Sequence, residues 1–89
     1  MKYTVSNGIT YLTFYCPGCD HNHVIYLDGN SGPRWQWNSS LLRPTVTPSL
    51  LNTNENGVCH LFVTDGKIVY CGDCTHALKG QAVDLVEDA

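Results

Sequence analysis

The chain has 89 residues, of which 43% are hydrophobic, 10% aromatic and 15% charged; that length fits one compact domain over residues 1–89 and excludes a multidomain enzyme. A domain this small hides only about 60–65% of the surface its unfolded chain exposes, so an apolar core alone leaves thin stability and a staple is expected. The net charge of −3 offers no basic footprint for a phosphate backbone, which disfavours nucleic acid as a partner. No run approaches the ~20 apolar residues of a membrane-spanning helix, and the first residues lack a signal peptide's apolar stretch, so a soluble, cytoplasmic protein is expected. In a reducing compartment the five cysteines read as metal ligands or redox groups, and an odd count cannot pair completely within one chain.

In chain order, short β-branched and aromatic runs recur between Gly, Asn, Asp and Pro signals, and no segment sustains a helical apolar period. Asn7-Gly8 between Tyr3-Thr4-Val5 and residues 9–14 is a two-residue hairpin signal, since both turn positions need positive φ. A strand over 23–27 and a short one over 34–37 follow, while residues 39–57, with Pro44, Pro48 and an Asn-rich stretch, read as loop. Asp65-Gly66 then defines a second hairpin whose register pairs Thr64 with Lys67, Val63 with Ile68, Leu61 with Tyr70 and His60 with Cys71. That register puts Leu61, Val63, Ile68, Tyr70 and Cys59 on the core face, and His60, Phe62, Val69 and Cys71 on the other. Residues 75–80 can make one short helical turn ended by Gly80, and residues 81–86 a closing strand. The last nine residues carry Asp84, Glu87 and Asp88 with no basic neighbour, an acidic end.

Cys16-Pro17-Gly18-Cys19 and Cys71-Gly72-Asp73-Cys74 are paired Cys-x-x-Cys elements at strand ends. Each can point two sulfurs into a tetrahedral site, and two such pairs on two hairpins are how zinc ribbons close a four-sulfur centre. Zn2+ held by Cys16, Cys19, Cys74 and Cys71 is the expected staple, with His76, His60 or Cys59 as alternative fourth ligands. A redox dithiol is the competing reading, but the βαβ surroundings of a thioredoxin-like motif are missing. His21 and His23 follow the first pair as weaker ligand candidates, and Asp73 reads as a turn residue or a support for a ligand. Trp35 and Trp37 share a strand face flanked by Arg34 and Arg43, so these four form either core with a covering loop or a recognition surface.

Several strings together, Cys16-Pro17-Gly18-Cys19, Trp35-Gln36-Trp37-Asn38, residues 43–51, residues 59–68 and residues 73–85, make the chain similar to a family of small phage and prophage proteins often labelled ammonia monooxygenase. The resemblance spans about residues 14–85. It implies a phage or prophage protein acting in the host cytoplasm, on a host or defence protein. Family members usually carry another residue at the position of Cys71, which implies that Cys71 is dispensable and shifts weight to His76, His60 or Cys59. The oxidase named in that label is not supported, because the chain lacks a recognisable copper or di-iron carboxylate arrangement.

The expectation is therefore a mostly β, small antiparallel, zinc-ribbon-like domain built from hairpins with at most one short helical turn. Its expected role is binding a host or phage protein, not catalysis. Two alternatives stand beside it: a single-stranded nucleic-acid or nucleotide binder using the tryptophans, and a metal-dependent hydrolase. A cysteine nucleophile with His60 or His76 is disfavoured because the sequence names no third orienting group.

Overall fold

The computed structural model describes residues 1–85. Eight strands follow one another: β1 (Lys2–Ser6), β2 (Ile9–Cys16), β3 (His21–Asp28), β4 (Gln36–Trp37), β5 (Val46–Asn54), β6 (Gly57–Thr64), β7 (Lys67–Tyr70) and β8 (Ala82–Asp84). They form two antiparallel sheets, β1-β2-β3 and β4-β5-β6-β7-β8, so the mostly β, antiparallel expectation holds. No helix occurs among the described residues. Residues 77–80 form a turn, with the Lys79 N–H on the His76 carbonyl at 3.3 Å. Among the described residues no helix is long and apolar enough to cross a membrane.

Both Gly-containing hairpins close as the turn chemistry demands. Asn7 and Gly8 have φ of 53° and 79°, and Asp65 and Gly66 have 49° and 80°, the left-handed pair of a two-residue turn. β6 and β7 pair Leu61 with Tyr70, Phe62 with Val69, Val63 with Ile68 and Thr64 with Lys67. Successive residues of a strand face opposite sides, and burial follows that alternation. Leu12, Phe14 and Cys16 of β2, Ile25 of β3, Cys59, Leu61 and Val63 of β6, and Ile68 and Tyr70 of β7 are all buried in one apolar cluster drawn from both sheets. At about 1.5–3 kcal/mol for each large apolar side chain, this cluster is the main favourable term.

The structure corrects the loop expected over 39–57. β5 and the start of β6 occupy much of it, joined by a tight turn with Asn54 across from Gly57. Pro48, which argued for a loop, falls where the β5–β6 register shifts between Val46 and Leu50; at such an irregularity a missing N–H breaks no ladder bond. β8 is shorter than the strand expected over 81–86, and Val86, like Glu87 and Asp88 of the acidic end, lies outside the described residues. Asp84 is paired with Lys67 Nζ at 2.7 Å.

Candidate metal centre and active site

At one end of the core the β2–β3 connection meets β6. Cys16 ends β2, Cys19 sits in the turn, and His23 lies on β3 across from Phe14, facing inward at 4% exposure. Cys59 projects from β6 into the same space, and one ligand atom from each of Cys16, Cys19, His23 and Cys59 lies within 4.8 Å of all the others. The Cys16 and Cys59 sulfurs are 3.8 Å apart, and Cys59 Sγ is 3.6 Å from His23 Nε2. Around a tetrahedral zinc, bond lengths of about 2.3 Å to sulfur and 2.0–2.1 Å to nitrogen put neighbouring ligands roughly 3.8 Å (S···S) and 3.5 Å (S···N) apart. Those edges match, so the donor set and its spacing fit an ion.

His76 approaches the same sulfur, with Nε2 3.5 Å from Cys59 Sγ, but its other nitrogen decides its role. The Leu78 N–H donates to His76 Nδ1 at 3.2 Å, so the neutral ring carries its proton on Nε2 and donates it to Cys59. His76 stands behind Cys59, outside the group whose ligand atoms all lie within 4.8 Å of one another. Gly18 makes room for it: a Cβ there would stand 2.5–2.8 Å from the imidazole. Tyr70 supports the other side, its hydroxyl 3.0 Å from Cys16 Sγ while accepting the Gly18 N–H at 3.1 Å. Metal centres commonly orient their ligands in this way.

Charge at the cluster calls for a cation. Burial pushes the Cys16 thiol up, but hydrogen bonds from His23, Tyr70 and Cys19 outweigh it and bring the group down to about 6. Cys19 is pushed up to about 11, chiefly by burial and also by the Cys16 charge, and Cys59 is pushed up further for the same reasons. One thiolate thus forms and suppresses the next two, a conflict that a divalent ion removes.

On the opposite face of β6 lies a second constellation. His60, next in sequence to Cys59, points outward. Its Nε2 is 3.0 Å from Ser49 Oγ, and its Nδ1 is 3.1 Å from both carboxylate oxygens of Asp73. Ser49 reaches His60 from β5, where it shares a strand face with Leu51, the pairing partner of His60. The Trp35 indole N–H holds the Ser49 carbonyl at 3.2 Å. Asp73 is positioned by the turn after β7. There the Cys71 N–H bonds the His60 carbonyl at 2.9 Å, and the Cys74 sulfur accepts the His60 N–H at 3.3 Å and donates to the His60 carbonyl at 3.0 Å. Nucleophile, base and orienting carboxylate are in line.

The sequence candidates therefore divide. Cys16 and Cys19 meet Cys59, one of the alternative ligands, together with His23, while His76 stands behind Cys59. Cys74, expected in the four-sulfur set, turns its sulfur to the backbone of His60. Cys71 groups with His60 and Asp73. Of the two pairs expected to converge on one ion, Cys16 and Cys19 meet Cys59 and His23, Cys74 is buried in the same core cluster, and Cys71 lies with the outer group. His23 was legible: its alternation with the buried Ile25 puts it on the Cys16 side of the hairpin. His21 stays exposed, its Nδ1 3.1 Å from the Cys19 carbonyl. Trp35 and Trp37 are half-buried against the core, and the Trp37 indole N–H is used on the Ser40 carbonyl. Arg34 pairs with Asp28 at 3.1 Å and Arg43 with Asp65 at 3.7 Å.

The described residues define an all-β domain with a sulfur-rich cluster that could hold a metal ion and a Ser–His–Asp arrangement. Residues 1–71 match the model of the family described as bacterial ubiquitination-like system serine protease (BubE), and the chain belongs to that family. Asp73 lies just beyond the matched span. The family's description overturns the expectation of a non-catalytic protein. That expectation rested on a structural metal staple and on a cysteine nucleophile lacking a third group; the Ser49–His60–Asp73 line lies outside both. No curated protein and no solved structure matches the chain.

Proposed function

We propose that the chain is a compact serine hydrolase acting on a protein component of a bacterial ubiquitination-like system, with Zn2+ on Cys16, Cys19, Cys59 and His23 stapling its fold. The observation that carries this reading is the Ser49–His60–Asp73 line, with contacts of 3.0 Å and 3.1 Å. In that line His60 Nε2 takes the Ser49 proton as Oγ attacks a carbonyl and returns it to the leaving group. Asp73 holds Nδ1–H, and so keeps the Nε2 lone pair facing the serine. The family's printed description supports both the serine-protease class and the ubiquitination-like setting. The host or defence protein expected as partner becomes, on this reading, the substrate, and the phage or prophage origin implied by the resemblance is compatible with it.

The test is hydrolysis of an activated ester and of peptide substrates, with labelling by a fluorophosphonate. Wild type should turn over and label at Ser49. Ser49→Ala should lose the label and at least ~10³-fold in kcat, with its thermal transition little changed. Equal turnover by Ser49→Ala would sink the proposal.

A further inference from the structure

Cys71 is left over by both constellations, yet its sulfur, His60 Nδ1 and an Asp73 oxygen all lie within 4.8 Å of one another. From that juxtaposition we propose that His60, Cys71 and Asp73 form a second, solvent-facing site for a thiophilic divalent ion such as Zn2+, and that its occupancy switches the hydrolase off. The switching half rests on the proposed triad; the ion site does not.

Donor chemistry selects the ion. A thiolate beside an imidazole and one carboxylate suits zinc or its neighbours in the transition series, and not magnesium or calcium. The ligands are also preassembled. Cys71 and Cys74 are both tied to the backbone of His60, so little ordering remains to be done on binding. His60 Nδ1 and Asp73 already stand 3.1 Å apart, and the Cys71 sulfur, within 4.8 Å of the other ligand atoms, needs to close by at most about 1.3 Å to reach the S···N edge of a tetrahedral ion. Access is open, since the side chains of His60 and Asp73 are 25% and 59% exposed. Gly72 between the two turn ligands has open space around it, which leaves room to tighten the turn.

The consequence for catalysis follows from imidazole chemistry. An ion on Nδ1 displaces the proton that Asp73 holds there, and a neutral ligating imidazole must carry its proton on Nε2. Nε2 then donates to Ser49 Oγ and cannot accept from it, so the base is lost without any movement of the fold. Asp73 is drawn off at the same time.

The experiment uses the full chain with its first site loaded with zinc. Co2+ or Zn2+ is added, bound ions are counted by native mass spectrometry, and hydrolysis is followed in parallel. Wild type and Ser49→Ala should each take up one further ion, and added Co2+ should produce a sulfur-to-metal charge-transfer band. Cys71→Ser should lose the band and weaken this ion at least roughly tenfold, since even changes behind a ligand cost that much. Wild-type hydrolysis should fall in step with the second ion. No further ion on wild type, no charge-transfer band, or equal affinity in Cys71→Ser overturns the site. A bound second ion with undiminished turnover overturns the switch. Wild type without hydrolysis before metal is added overturns the triad reading and the switching with it, while the ion count and the band still decide the site.

Discussion

Across β6 the two faces of one sheet hold sites of opposite character. Inward, Cys59 joins Cys16, Cys19 and His23 among buried side chains; outward, His60 sits between Ser49 and Asp73 at the surface. The inner group has donors suited to an ion and supplies what a small core lacks. The outer group has the hydroxyl, imidazole and carboxylate of the proposed triad, placed at no cost to the core. The difference teaches that removing inner residues should damage the fold, whereas removing outer ones should damage only chemistry.

The largest effect that would break this comparison is at Cys59. Cys59→Ser should abolish metal binding and unfold the domain, because ligation contributes ~10–16 kcal/mol of apparent free energy in small zinc-stapled domains; metal content and far-UV circular dichroism check it. An apo, cooperatively melting Cys59→Ser protein would show that the inner group is no staple. Next comes Asp73→Asn. With the tautomer of His60 no longer held, kcat should drop on the order of 10⁴-fold, as the equivalent change does in serine proteases, with metal content unchanged. A smaller effect is expected at Cys74, which bridges the two faces. Cys74→Ala removes both sulfur contacts to the His60 backbone and should cost about 1–3 kcal/mol in a denaturant titration. It should also slow turnover by loosening Asp73. The smallest is Lys67→Ala. Lys67 holds the Asp84 carboxyl below its usual range, so the ion pair's contribution exists at neutral pH and is lost on acidification; with both side chains more than half exposed that contribution is small, and the thermal transition at neutral pH should shift only slightly.

Much of the scaffold was legible. Asn7-Gly8 and Asp65-Gly66 determined two hairpins, and the register of the second placed Cys59 on the core side, where it is 4% exposed. What escaped depends on irregularity and on distance in sequence. Ser49 shares a strand face with Leu51, which pairs with His60, but residues 39–57 read as loop, so no register could be drawn for it. Asp73 was read as a turn former, and its carboxylate acquires a role only once the turn is fastened to β6. The Cys-x-x-Cys spacing of 71–74 suggested metal for all four cysteines of the two pairs. Spacing, however, does not report where a sulfur points, and the Cys74 sulfur binds backbone.

Because Cys59 and His60 are consecutive, the length of β6 between its two tight turns is itself under constraint. Inserting or deleting a single residue ahead of them would exchange their directions, sending sulfur to solvent and imidazole into the ion's cavity. Such a change would abolish both activities at once even if every chemical group were retained, so β6 is where natural length variation should be absent among functional copies of this chain.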